Sequence, residues 1–146
     1  MSYLIDTNVL VRLAQPRNPD QRESRRALRV LRRRPDFLGI IPQNLIEFWA
    51  VATRPASSNG LDLTVDEAAR YIGKLKALFT LLPDSSDIFN EWEGLVLQHQ
   101  VLGKQAHDAR LVAAMNVHKL THLLTFNTTD FKRFTGITVI SPTEVN

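Results

Sequence analysis

Apolar residues along this chain fall into two rhythms. Short runs at YLI (3–5), FLGII (37–41), FTLLP (79–83), THLLTF (121–126) and ITVI (137–140) have the length of buried strands, the first extending over residues 2–6. Longer stretches between them place apolar residues at helical spacing. Asp6 or Thr7 can open a short helix carrying Val9, Leu10 and Leu13, and the prolines of AQPRNPD force a turn after it. Asp20 is expected to cap a helix to about Arg34, stopped by Pro35. Pro42 suits the first turn of the helix QNLIEFWAVATR, which ends before Pro55. PASSNGLDL (55–63) reads as a loop, and Thr64 with Glu67 makes a capping box for a helix to about Leu78. Asp84 through Asp87 offer caps for a helix ending near Gly103, and AHDARLVAAMNVHK (106–119) forms another. Strand and helix alternate, which predicts an α/β fold, a three-layer α/β/α sandwich with a mainly parallel central sheet. Sites in such sheets form outside the carboxyl ends of the strands.

Composition narrows the picture. The 146 residues fit a single domain, 1–146, with a real core. Hydrophobic residues at 44% and charged residues at 23% are ordinary for a globular chain. With no cysteine, disulfides, thiolate metal sites and cysteine nucleophiles are excluded, and a reducing cytosol is compatible. The first strand starts too early for a signal peptide, and no apolar run approaches the roughly 20 residues that span a bilayer. The expected location is cytoplasmic.

Four acidic positions stand out. Asp6 directly follows Tyr3, Leu4 and Ile5, where a charge is costly unless paired; its ordinary reading is a helix cap. Glu47 sits inside LIEFWAVA, a helix apolar on every side, so its carboxylate is expected to be buried, by itself or paired with an arginine. Asp108 shares a helix face with Leu111, Val112 and Met115, although an acid in a first turn also answers the helix dipole. Asn127 and Asp130 follow the strand THLL, where Asx residues usually make turns. Each has a bland explanation alone. Together, Asp6 and the 127–130 segment follow strands and Asp108 opens a helix, so they gather at one sheet edge with Glu47. Carboxylates gathered there repel unless a cation joins them, and hard divalent ions such as Mg²⁺ or Mn²⁺ suit oxygen ligands and phosphate chemistry.

At YLIDTNVL, IPQNLIEFW, HDARLVAAM and LLTFNTTDF the sequence resembles the PIN domain family, in particular the VapC-type toxins of bacterial toxin–antitoxin pairs. The resemblance runs the whole chain. It implies a Rossmann-like α/β/α fold and a Mg²⁺- or Mn²⁺-dependent ribonuclease, a hydrolase of RNA phosphodiesters. By position it places the family's acids on Asp6, Glu47 and Asp108. The fourth falls on Asn127, where the family often has aspartate, with Asp130 as the nearby acid that can complete the cluster. Thr7, Asn8 and Thr125 lie beside these acids and are expected to orient them or a water. The implied mechanism has the ion acidify a bound water that attacks the phosphodiester in line. No histidine is needed: His107 lies about 100° around the helix from Asp108, and His118 and His122 straddle a helix end, which disfavours a zinc pair.

The net charge of +3 conceals an asymmetry. Residues 1–34 hold nine arginines against Asp6, Asp20 and Glu23, a balance of +6, and the remainder carries −3. Arg22, Arg25, Arg26, Arg29, Arg32 and Arg33 share a helical arc of about 120°, with Ala27, Val30 and Leu31 opposite. The plain reading is a solvated face; the sharper one is a surface for RNA phosphates or an acidic antitoxin segment. The resemblance also implies a possible homodimer, to which the helices around 42–54 and 64–78 could contribute. Two other classes compete. A phospho-accepting receiver wants an acidic pair after the first strand and a lysine after the last, but Asp6 stands alone and ITVISPTEVN has no lysine. A non-catalytic PIN-like scaffold binding RNA or protein is the alternative that Asn127 favours.

Overall fold

Successive residues of a strand face opposite sides, and in the first strand this alternation founds two cores. The computed structural model describes residues 1–146. Its strands are β1 (Ser2–Ile5), β2 (Phe37–Ile40), β3 (Thr80–Leu81), β4 (His122–Leu124) and β5 (Thr138–Ile140). Its helices are α1 (Thr7–Leu13), α2 (Pro19–Arg32), α3 (Pro42–Thr53), α4 (Val65–Leu78), α5 (Ser86–Gln98) and α6 (Gln105–His118). Tyr3 and Ile5 join a core with Leu10, Leu31, Phe48 and Leu75 from α1 to α4. Leu4 faces the other way, into a core with Ile88, Val112, Met115 and Leu123 from α5, α6 and β4. Helices therefore cover both faces of a sheet whose pairings are all parallel, as a sheet buried on both sides requires. The strand order is β3-β2-β1-β4-β5. The α/β/α sandwich expected from the sequence is the fold observed.

Three local expectations change. Asn18, not Asp20, caps α2: its side chain accepts from the Asp20 N–H at 2.9 Å. Pro19 occupies the first helical position, which needs no N–H, so the cap falls one residue earlier. Helix α5 stops at Gln98, short of Gly103. Gln100 takes a positive φ of 49° and the Val101 N–H returns to Val96 O at 3.0 Å, a Schellman closure without glycine. Most consequential is α3, which is not buried all round. Asn44, Phe48 and Ala52 are buried along one stripe, while Ile46 is 68% exposed and Trp49 36%. Its neighbours α1 and α4 cover part of its circumference and leave an apolar face open. No helix is long and apolar enough to cross a membrane.

Candidate active site

The chain runs from β1 outward through β2 and β3, then returns to place β4 on the other side of β1. Such a reversal is the switch point at which open α/β sheets place their sites, and here it falls between the ends of β1 and β4. Asp6 stands at this point, its N–H continuing the ladder to Leu124 O at 3.0 Å. It is 7% exposed. Its Oδ1 accepts from the Thr7 N–H at 2.7 Å; its Oδ2 accepts from the Thr125 hydroxyl at 2.8 Å and the Asn8 amide at 3.3 Å. Asn8 also donates to Thr125 Oγ1 and accepts from the Phe126 N–H, stapling the start of α1 to the end of β4. Asp6 itself is the N-cap of α1, so the cap role does not pass to Thr7. Thr7 instead accepts at Oγ1 from the fully buried Asn44. The three neighbours singled out in the sequence, Thr7, Asn8 and Thr125, thus all meet Asp6 or its supports.

Glu47 is half-buried rather than enclosed, because the open face of α3 adjoins it. No arginine pairs with it directly. Gln43, one turn earlier, donates Nε2–H to Glu47 Oε1 at 3.1 Å and to His107 O at 2.9 Å. Arg110 donates to Gln43 Oε1 at 3.1 Å and to Asp84 Oδ1 at 3.2 Å. Burial raises the Glu47 pKa, opposed by the Gln43 hydrogen bond and the charges of His107 and Arg110.

Asp108, in the first turn of α6, is half-buried over Leu111, Val112 and Met115. Burial first, then the charges of Asp130 and Glu47, push its carboxyl up to about 6. Asp6 is also pushed up to about 6, chiefly by burial; its hydrogen bonds from Thr125 and Thr7 oppose this, and Glu47 and Asp108 add to it. Asp130 is exposed, in the 3-10 turn Thr128–Phe131, yet its charge reaches Asp108. Asn127 is exposed, and it meets the cluster through its backbone N–H, which donates to Thr125 Oγ1 at 3.0 Å.

Among Asp6, Glu47, Asp108 and Asp130, the charges of Glu47 and Asp108 therefore reach Asp6, and those of Glu47 and Asp130 reach Asp108. None takes part in an ion pair; the pairs present are Met1–Asp36, Arg12–Asp20, Arg26–Glu23 and Arg110–Asp84. Oxygen-only donors, repulsion at Asp6 and Asp108 and no salt-bridged cation fit a hard divalent ion in charge and chemistry. No three of the side chains stand together as a ready ligand set, so an ion here would reach some of them through water, as Mg²⁺ commonly does.

Sequence reasoning missed Gln43, Asn44 and Arg110. Gln43 was legible as an i, i+4 partner of Glu47. Asn44 was legible too, as the third helical residue reaching back to the Ile41 N–H at 2.9 Å. Nothing local marked Arg110, whose partners come from α3 and the loop before α5. The arginine stripe does not converge on the acids. Arg29 and Arg32 occupy the last turn of α2 and Arg33 is its C-cap, beside the start of β2 at the opposite sheet edge. Arg26 is already engaged, donating to Val145 O and Pro142 O at 2.6 and 2.9 Å.

The PIN domain family model matches residues 3–137. The chain belongs to the PIN domain family. PIN domains are nucleases that generally depend on divalent metal. Solved structures share the fold along nearly their full length. A toxin–antitoxin complex from Klebsiella pneumoniae is 25% identical with a TM-score of 0.66, covering 96% of this PIN chain and 97% of that one. VapBC2 from Rickettsia felis, bound to a promoter DNA fragment, is 14% identical with a TM-score of 0.71, over 97% and 98% of the two chains. VapC20 from Mycobacterium tuberculosis, a sarcin-ricin loop cleaving toxin, is 13% identical with a TM-score of 0.67, over 90% and 95%. At the two lower identities the likeness is one of fold. No curated protein matches this chain at a significant level.

Proposed function

We propose that this PIN domain is a Mg²⁺- or Mn²⁺-dependent endoribonuclease and the toxin of a toxin–antitoxin pair. One observation carries the proposal. Asp6, Glu47, Asp108 and Asp130 come from separate segments near the switch point; Glu47 and Asp108 push Asp6 up, Asp130 and Glu47 push Asp108 up, and no salt bridge neutralises any of the four. In this reading Asp6, Glu47, Asp108 and Asp130 hold the ion, and Asn127 is a peripheral donor. A bound divalent ion supplies charge neutralisation and acidifies a water beside a phosphodiester. The chain's own part is positional. Thr7, Asn8 and Thr125 fix both oxygens of Asp6, while Gln43 fixes Glu47 and ties it to the residue before Asp108. Oriented carboxylates, Asp6 buried and Glu47 half-buried, lose little on receiving an ion, and that preorganisation is what a site for developing charge requires.

The partner belongs to another surface. A groove of about 620 Å³ between α2 and α4 has a floor including Leu28, Tyr71, Leu75 and Phe79 and a rim of Arg25, Arg29, Arg32, Arg33 and Lys74. An apolar floor under a cationic rim suits an amphipathic acidic segment of an antitoxin better than a phosphate backbone, which offers nothing to bury. The Klebsiella relative, which is a toxin–antitoxin complex, supports such a partner. The open α3–α4 face of Leu45, Ile46, Trp49, Ala69 and Ile72 is assigned to self-association. The catalytic reading is tested by incubating purified protein with RNA and Mn²⁺. Cleavage should occur, cease with a chelator and fall at least 100-fold in Asp6→Asn; full activity in that variant would remove Asp6 from the site.

A further inference from the structure

A cleft lies between α5 and the first turns of α6, the helix that carries Asp108. It measures about 240 Å³ and is lined by Phe89, Trp92, Ala106, His107 and Arg110. Its aromatic wall is Phe89 and Trp92, with ring centroids 5.5 Å apart and planes inclined by 37°. The indole is fixed, because its Nε1–H donates to Ala106 O at 2.8 Å. Phe89 is 59% exposed, so much of its ring is not spent on the core. The remaining lining is cationic or polar: exposed His107, and Arg110 held by Gln43 and Asp84.

A lone exposed phenylalanine needs no explanation. This one is joined to the candidate site by short links. His107 immediately precedes Asp108, and its carbonyl accepts from the same Gln43 that orients Glu47. Arg110 bonds that Gln43 as well. A slot with aromatic rings on one side and a guanidinium on the other, set beside carboxylates suited to phosphodiester chemistry, matches one nucleotide. The base stacks on the rings while the phosphate or base edge meets Arg110 and His107. A protein partner would need apolar continuity, but the exposed positions flanking Phe89 on α5 include Asn90 and Glu93, and the next exposed apolar residue of that face, Leu97, lies two turns away. Resting on the ribonuclease reading, we infer that the α5–α6 cleft is a stacking subsite for one unpaired nucleobase of single-stranded RNA flanking the cleaved phosphodiester. Bases inside a duplex have both faces covered and do not enter.

The chain has two tryptophans, so a Trp49→Phe background isolates Trp92 fluorescence. Titration with a short single-stranded oligoribonucleotide in metal-free, low-salt buffer should quench Trp92 saturably, whereas duplex RNA of the same length should not. Phe89→Leu keeps the apolar volume and removes the stacking face; it should weaken binding by roughly 5- to 100-fold, and Phe89→Tyr should restore it. In Mn²⁺-dependent cleavage, Phe89→Leu should raise KM with kcat within about twofold. The inference is overturned if Phe89→Leu binds and cleaves like the parent, or if Trp92 is not quenched. It is also overturned if Phe89→Leu instead changes the oligomeric state by light scattering, since that assigns the ring to a protein interface. A parent that cleaves no RNA yet shows Phe89-dependent quenching would remove the ribonuclease reading and leave the subsite standing.

Discussion

Asp6 accepts three hydrogen bonds, from Thr7, Asn8 and Thr125, yet its carboxyl is pushed up to about 6. Burial and the neighbouring acids outweigh three donors, which shows how much the charge costs here. An unfolded aspartate titrates near 4, so between about pH 4 and 6 the native state binds more protons and stability falls as pH rises. Two units correspond to on the order of 3 kcal/mol of destabilisation at neutral pH for this deeply buried group. Asparagine caps a helix as well as aspartate does, so Asp6→Asn removes the charge and keeps the cap. The metal-free variant should melt several degrees above the parent at pH 7 and level with it near pH 4, by thermal denaturation at both values. A variant that melts lower at pH 7 would show that the charge is not strained. Asp6 was legible in the sequence because a charge after a buried strand is conspicuous. Gln43 and Asn44 carried local signals, an i, i+4 partner and a capping amide, but amides in a first turn look like routine capping until their partners arrive from α6 and α1.

At the scale of elements, the site depends on how α3 is held against α6, since these helices carry Glu47 and Asp108. Gln43 makes that connection, with one donor hydrogen on Glu47, another on His107 O, and its carbonyl taken by Arg110. Gln43→Ala should lower Mn²⁺ affinity and RNA cleavage by about 10- to 100-fold, as loss of an outer-shell partner does. The fold should lose about 1–2 kcal/mol in denaturant unfolding. Unchanged Mn²⁺ affinity in a folded variant would make Gln43 a packing residue only. The alternation of strands and helices was readable because local periodicity encodes it. The open face of α3 was not: LIEFWAVA looks buried on all sides, and only the placement of α1 and α4 decides that Ile46 and Trp49 stay exposed.

Over the whole molecule, charge and apolar surface are separated. The acids lie at the carboxyl edge of the sheet, and the last arginines of α2 lie at the amino edge. The exposed α3–α4 face is a third region, and Ile46, at 68% exposure, is its most exposed large side chain. If this face is the proposed self-association surface, Ile46→Glu should be a monomer in light scattering where the parent is a dimer, with its circular dichroism unchanged; equal masses would remove this face from self-association. The asymmetry of charge was countable from composition, but its segregation to opposite edges needed the topology. Whether the four acids form one cation site is decided most directly by calorimetric titration with Mn²⁺ at pH 7. Saturable binding is expected, and it should be lost in both Asp6→Asn and Asp108→Asn. Absence of saturable binding in the parent, or binding that survives both substitutions, would contradict that single site.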